Sequence, residues 1–467
     1  MKGLVVAATK SGSGKTTVTL GLIASFKRRG FDVAPFKVGP DFIDPGHHSR
    51  VSGCVSRNLD GWMLSKSQNL ESFRNHTASA DIAVVEGVMG LFDGYDGRSE
   101  SGSTAQIAKW LGLPVLLIVD ANSMARSAAA IVQGFERFDR ELKFAGVVFN
   151  NVASRRHLRF LKEAVEGNTK MPFLGGIMRD ETISIPHRHL GLVTREDHPL
   201  TEDTIVKLAD MIDESIRVDA LLDLLPSVKP ALASEKIHIE ASGSKVRIGI
   251  ARDNAFCFYY QDNLDLLKAH GAEIVYFSPM GDTALPDDLD GLYFGGGYPE
   301  LYAQRLSENR SLRRQIRERH DNGMPIYGEC GGFMYLCSGL VDLQGNHYPM
   351  VGCFPFTARM CSGLRQLGYR EVVFVKETIL GKPQQTVRGH EFHYSELIPG
   401  PHKPELVYRV SSNIDSQASK EGFQIGRCLG SYIHLHFASC LDVADYFVKV
   451  CEQYKQERFM YCETEGN

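Results

Sequence analysis

Lys10-Ser11-Gly12-Ser13-Gly14-Lys15-Thr16-Thr17 follows directly on the apolar run Leu4-Val5-Val6-Ala7-Ala8. A strand that ends in a glycine-rich turn and opens a helix aims successive backbone N–H groups and the helix N-terminus at one point, which suits a di- or triphosphate. Lys15 is expected to reach the β- and γ-phosphates and the Thr16 hydroxyl to ligate Mg²⁺, with Gly12, Ser13, Gly14 and Thr17 completing an ATP cradle. Thr9 stands where the first glycine of G-x-x-x-x-G-K-[ST] is expected, so the loop reads as the variant with a second lysine, Lys10, near its start. Apolar residues at helical spacing from Val18 to Phe26 continue the helix, and Lys27-Arg28-Arg29-Gly30 closes it.

Outward from this loop, further apolar runs read as strands of a parallel sheet buried on both faces: Asp32 to Asp41, Ile82 to Gly90, Pro114 to Asp120 and Ala145 to Asn150. Helical stretches, Ala105 to Leu111 and Ala125 to Phe138, lie between them. Such alternation predicts a doubly wound α/β layer with ligands at the C-terminal ends of the strands. Glu86, at the end of one run, is the expected metal-facing carboxylate beside Thr16, with Asp41 and Asp44 completing the metal shell or facing the acceptor. Asn150 is placed to read an adenine edge.

From about residue 205 the chain becomes a charged helix, then Pro226, Pro230 and a polar Glu240-Ala241-Ser242-Gly243-Ser244 segment. Residues 206–244 therefore read as a linker between an ATP-dependent domain, 1–205, and a second α/β domain, 245–467. The second domain opens with strand-like runs at Lys245 to Ala251, Glu273 to Phe277, Gly291 to Gly297 and Met324 to Glu329. The 467 residues carry 43% hydrophobic and 23% charged residues and a net charge of −4, which suits two globular domains and leaves no basic field to attract nucleic acid. No signal-peptide pattern follows Met1-Lys2, and no apolar run is long enough to span a membrane. The ten cysteines lack the paired short spacings of a zinc site, so reduced thiols and a cytoplasmic setting are expected.

Tyr327-Gly328-Glu329-Cys330-Gly331-Gly332-Phe333-Met334 places a cysteine between glycines where an apolar strand turns into a helix. A nucleophile at the tip of such a turn is exposed, and the helix N-terminus favours its thiolate. The N–H of Gly331, with one from Gly295-Gly296-Gly297, offers an oxyanion hole. For the general base, Ser431-Tyr432-Ile433-His434-Leu435-His436-Phe437 supplies two histidines, and His390 and His393 are rivals. The spacing His390-Glu391-Phe392-His393 is not H-E-x-x-H, which excludes a zinc protease.

A Cys–His domain joined to an ATP site resembles a class I glutamine amidotransferase fused to an amide-forming synthetase. More closely, the chain resembles the cobyrinic acid a,c-diamide synthase family. The resemblance rests on Ser11 to Thr17, Lys37 to Pro45, Glu86 to Gly94 and Arg188 to Leu192, then Asp253 to Tyr260, Gly295 to Leu301, Glu329 to Gly332, Gly389 to His393 and Ser431 to Phe437, in order over nearly the whole chain. It implies a dethiobiotin-synthetase-like parallel-sheet P-loop domain and a flavodoxin-like amidotransferase domain. It also implies that ATP activates the c and then the a carboxylate of a corrinoid as an acyl phosphate, which ammonia from L-glutamine then displaces.

By the same resemblance Cys330 is the nucleophile, His434 the base, and Gly296, Gly297 and Gly331 form the oxyanion hole. Asp44, Lys37 and His189 fall to substrate binding or activation. The acid usual two residues after the base is absent, and His436 holds its place, so the resemblance is to a dyad and leaves open what orients His434. Serine is common in relatives at the position of Lys10. The same chemistry on hydrogenobyrinic acid or nickel-sirohydrochlorin, and a partitioning-type ATPase switch, are the alternatives. The expected partners are small molecules, with no nucleic acid or membrane, and a homodimer is left open.

Overall fold

The computed structural model describes residues 1–180, 200–227, 246–412 and 417–465; His189 lies outside them. The chain divides into two compact units, Met1–Lys236 and Ile237–Asn467.

In the first unit strands and helices alternate: β1 (Lys2–Ala8), α1 (Lys15–Arg28), β2 (Val33–Val38), α2 (Ile43–Ser52), β3 (Arg57–Leu59), α3 (Lys66–Thr77), β4 (Ile82–Glu86), α4 (Thr104–Leu111), β5 (Val115–Asp120), α5 (Ser127–Phe138), β6 (Phe144–Val152), α6 (Arg155–Asn168), β7 (Phe173–Met178), α7 (Glu202–Ser215) and α8 (Val218–Leu224). The strands form one parallel sheet in the order β3-β2-β4-β1-β5-β6-β7. Successive side chains of β1 go to opposite faces. Leu4, Val6 and Ala8 pack with Leu20 and Ile23 of α1 and Leu208 and Ile212 of α7, while Val5 and Ala7 share a cluster with Phe73, Ile107, Val132 and Leu161 of α3 to α6. Two covered faces explain the unbroken apolar run. With β1 between β4 and β5, the chain winds outward in both directions, and the loop after β1 opens at the switch point where such sheets bind ligands.

The expected linker begins too early. Residues 202–224 are helices α7 and α8 of the first unit, and α7 lies so close on α1 that a Cβ on Gly21 would meet Ile212 Cγ1 at 2.5 Å. Ser25 donates to Asp213 at 2.6 Å and Arg28 pairs with Asp210 at 2.6 Å. The charge that suggested a linker is the outer face of an amphipathic helix, whose Leu208, Ala209 and Ile212 are buried.

The second unit contains β8 (Val246–Ala251), α9 (Gln261–Ala269), β9 (Ala272–Phe277), β10 (Gly291–Phe294), α10 (Ala303–Glu308), α11 (Arg310–Asp321), β11 (Ile326–Glu329), α12 (Gly331–Leu336), β12 (Cys337–Val341), β13 (His347–Pro349), β14 (Phe354–Met360), β15 (Gln366–Phe374), β16 (Thr386–His393), β17 (Ser395–Ile398), β18 (Glu405–Ser411), β19 (Ser419–Ile425), β20 (Cys428–Ser431), β21 (His434–Leu435) and α13 (Asp442–Glu465). Ten strands form a mixed sheet, β21-β16-β15-β18-β19-β20-β11-β10-β8-β9, and β13-β12-β14-β17 form a smaller one. From β9 to β20 the pairing is parallel. Numbered along the chain, these five strands stand in the order 2-1-3-4-5, the flavodoxin-like order expected. From β20 to β21 the pairing is antiparallel. Among the described residues no helix is long and apolar enough to cross a membrane.

Candidate active site

The loop after β1 is built as the glycines require. Gly12 has φ 75° and Gly14 φ 91°, left-handed values that cost a side-chain-bearing residue strain. A Cβ on Gly14 would also lie 2.2 Å from Asn150 Nδ2, which donates to the Ser13 carbonyl at 3.0 Å. Asn150 thus braces the loop from the end of β6. No side chain caps α1, whose first-turn N–H groups keep the partial positive charge of a helix start. Lys10 is exposed and pairs with Asp120 at 3.4 Å.

Lys15 folds back from the start of α1 to donate to the carbonyl of Met89, at 2.5 Å. Met89 has φ 47°, so a strained turn after β4 turns this carbonyl toward the loop. Burial, with repulsion from Lys37, brings the Lys15 ammonium down to about 8. That leaves it short of negative charge, which a polyphosphate would supply.

Thr16 Oγ1 donates to Glu86 Oε1 at 2.7 Å and lies 3.5 Å from Asp44 Oδ2. Lys37, itself buried, bridges the two carboxylates at 2.6 Å from Asp44 and 2.9 Å from Glu86, and His48 Nε2 meets Glu86 Oε2 at 2.6 Å. Burial opposes charge on Lys37, but Asp44, Glu86 and Asp41 together raise its pKa above the usual lysine value. Hydroxyl and carboxylate oxygens converging on one cation position form the hard donor set that Mg²⁺ takes. Asp44, expected at the substrate, stands beside Thr16 instead of Asp41. Asp41 Oδ1 accepts from the backbone N–H groups of Ile43 and Asp44 and starts α2, an Asx-type use that its neighbours Pro40 and Pro45 favour. Lys37, whose side chain is 3% exposed, is held by carboxylates rather than open to substrate. His48 is a site residue that the sequence reading missed; its i,i+4 spacing from Asp44 on α2 was the available signal.

In the second unit Cys330 caps α12 at φ 48° and ψ −107°, a strained non-glycine geometry at the strand-to-helix turn. Its N–H donates to the Ser431 carbonyl at 2.7 Å, which ties the turn to β20. The pairing of Glu329 with Ser431 then brings His434, three residues on, back to the cysteine. Both residues are buried, and burial opposes charge on His434. The neighbouring Cys330 and the Glu329 carboxylate outweigh that and push the imidazole up to about 9. By contrast, burial pushes the thiols of Cys337, Cys428 and Cys451 well above the ordinary value.

One expected oxyanion donor is corrected. The N–H of Gly296 is spent on the Phe258 carbonyl at 3.1 Å, in an isolated bridge, so it cannot meet an oxyanion. Gly296 serves by lacking a side chain, because a Cβ there would lie 2.3 Å from His434 Cε1. Gly297 and Gly331 remain as a pair: a Cβ on Gly331 would lie 3.0 Å from Gly297 N, and Gly331 opens α12. The rival histidines have other work. His393 joins Glu391 at 2.9 Å and lies flat on Tyr432, and His390 Nδ1 meets the Tyr260 hydroxyl at 2.7 Å while its ring stacks on His434.

The sequence matches two described families, a CobQ/CobB/MinD/ParA nucleotide binding domain over residues 4–193 and a CobB/CobQ-like glutamine amidotransferase domain over 247–440. It is similar to the cobyrinate a,c-diamide synthase of Syntrophotalea carbinolica, with 45% identity over 96% of this chain and 98% of the relative. The synthase of the same name from Listeria innocua is 44% identical over 94% and 96%, and that from Leptospira interrogans 42% over 96% and 98%. With a phosphate cradle in one unit, a Cys–His pair in the other and relatives aligned along nearly its whole length, the chain belongs to the cobyrinate a,c-diamide synthase family.

Proposed function

We propose that this protein is an ATP-dependent carbon–nitrogen ligase that amidates the c and a side-chain carboxylates of cobyrinic acid, taking nitrogen from glutamine, as a step of cobalamin biosynthesis. The observation that carries the reading is the seating of His434 against Cys330 in a chain whose other unit holds a phosphate cradle.

At the amidotransferase site the Cys330 sulfur attacks the glutamine side-chain carbonyl, and the thiol proton passes to His434. The N–H groups of Gly297 and Gly331 face the developing oxyanion. His434 then returns the proton to the departing nitrogen, which leaves as ammonia, and water cleaves the thioester to glutamate and free Cys330.

At the synthetase site the loop N–H groups and Lys15 hold the ATP phosphates, with Asn150 bracing the loop. A substrate carboxylate oxygen attacks the γ-phosphorus and ADP leaves; ammonia then attacks the acyl carbonyl and inorganic phosphate leaves. Thr16, Glu86 and Asp44 would hold Mg²⁺, which when bound neutralises charge on the phosphates. Lys37 keeps the two carboxylates from repelling each other. The reduced thiols expected of such an enzyme accord with a cytoplasmic setting.

In Cys330→Ala, glutamine-dependent amidation of cobyrinic acid, followed by mass spectrometry, is expected to fall at least 10³-fold while ammonium still supports it. Glutamine use at the normal rate in that variant would sink the assignment. Hydrogenobyrinic acid and nickel-sirohydrochlorin in parallel reactions test the substrate: faster amidation of cobyrinic acid is expected, and a preference for either of the others would overturn that part of the reading.

A further inference from the structure

We propose that Glu329, the residue immediately before the nucleophile, is the positioning residue of the glutamine site: its carboxylate sets the tautomer and direction of the His434 ring, replacing the acid missing two residues after the base. The proposal rests on the amidotransferase reading above.

Glu329 Oε2 lies 3.5 Å from His434 Nδ1, and the two side chains are 2% and 3% exposed. Among the described residues, His434 is the basic side chain within 4 Å of this carboxylate. The carboxylate is itself fixed: Oε1 accepts from the Tyr327 hydroxyl at 2.7 Å and from the N–H of Leu435 at 3.1 Å, and Oε2 from the Tyr293 hydroxyl at 3.0 Å. The Leu435 bond ties it to the backbone one residue beyond the histidine it faces. Neutral donors hold the carboxylate without cancelling its charge, so the charge is left to the imidazole.

The neighbouring groups leave that role to Glu329. His436, in the sequence position of the missing acid, is buried against the Tyr260 ring at 4.4 Å, and an imidazole supplies no carboxylate charge there. His390 stacks on His434 at 5.0 Å, and burial with repulsion from His434, His436 and Arg370 keeps it neutral. Arg370 is paired with Glu391 at 2.7 Å. With Glu329 Oε2 3.5 Å from Nδ1, a proton on that nitrogen faces the carboxylate, and Nε2 is left for sulfur. This is the division of labour that a base oriented by a third group requires.

The test is Glu329→Gln in the full-length enzyme, read by the pH profile of kcat/KM for glutamine and by the reaction with ammonium. Losing the facing charge lowers the His434 pKa. The limb of the profile that His434 governs, expected near 9 in the parent, should move down by about one unit or more, with kcat/KM falling on the order of 10²-fold. Ammonium-supported amidation should persist. No movement of that limb and unchanged kcat/KM would overturn the proposal. Should the Gln variant lose the ammonium reaction too, Glu329→Asp takes its place, keeping the buried charge but withdrawing it by one methylene. A selective loss with glutamine supports positioning, and parent-like kinetics overturn it. Glutamine use by Cys330→Ala, in contrast, would condemn the underlying reading, an outcome distinct from a Glu329 variant that behaves like the parent.

Discussion

Lys37 shows how a single buried charge organises the synthetase site. Its ammonium stands between Asp44 and Glu86, with Thr16 and His48 on the same carboxylates. Deleting one partner of a buried ion cluster costs more than the cluster contributes, because it strands the others. Lys37→Met should therefore lose about 3–5 kcal/mol in urea unfolding, and millimolar Mg²⁺ should restore part of the loss by taking the vacated charge. A loss under about 1 kcal/mol, or no response to Mg²⁺, would show that the carboxylates do not depend on a cation. Lys15 is the opposite case, since burial and Lys37 depress it to about 8. Its charge is retained below that value and shed as pH rises through it, so its hold on phosphate weakens on the alkaline side.

At the scale of elements, both sites are strand-to-helix turns in which glycines clear space for backbone and side-chain groups. Gly296 lies two residues beyond β10, and its missing Cβ admits the His434 ring. Gly296→Ala should displace that imidazole and cut glutamine-dependent activity by at least 10²-fold, with ammonium-dependent activity retained; parent-like glutaminase rates would contradict the packing. The parallel strands were legible in the sequence because strands covered on both faces read as unbroken apolar runs: β4 and β5 fall within their expected runs, and β1 and β6 contain theirs. The strands from β12 to β19 escaped that reading. Those such as β14, with burial alternating along Phe354–Met360, are covered on one face and carry no continuous run. The same limit applies within the sites. Cys330 and Lys15 announce themselves by local pattern and His434 by family resemblance, whereas Glu329 takes its place through strand register, which the sequence does not display. The early linker boundary has a related cause, since the charged outer face of α7 was visible and its partner α1 lay nearly two hundred residues away.

Across the whole molecule, two units with separate cores carry two chemistries, and variants should separate them. Lys15→Ala is expected to abolish amidation with either nitrogen source, while Cys330 keeps its rate of alkylation by iodoacetamide. Amidation above about a tenth of the parent rate would sink the phosphate cradle, and lost alkylation would mean that the substitution acts beyond its own unit. The strained turn at Cys330 bears on how such a chain changes over generations. A side chain at φ 48° costs on the order of 1–3 kcal/mol that glycine would not incur. Replacing the nucleophile by glycine is thus downhill for folding and ruinous for glutamine use. Once free ammonia is plentiful, nothing in the stability of the protein defends the cysteine, and the lineage can drift toward an ammonia-fed ligase whose second unit is silent yet better folded.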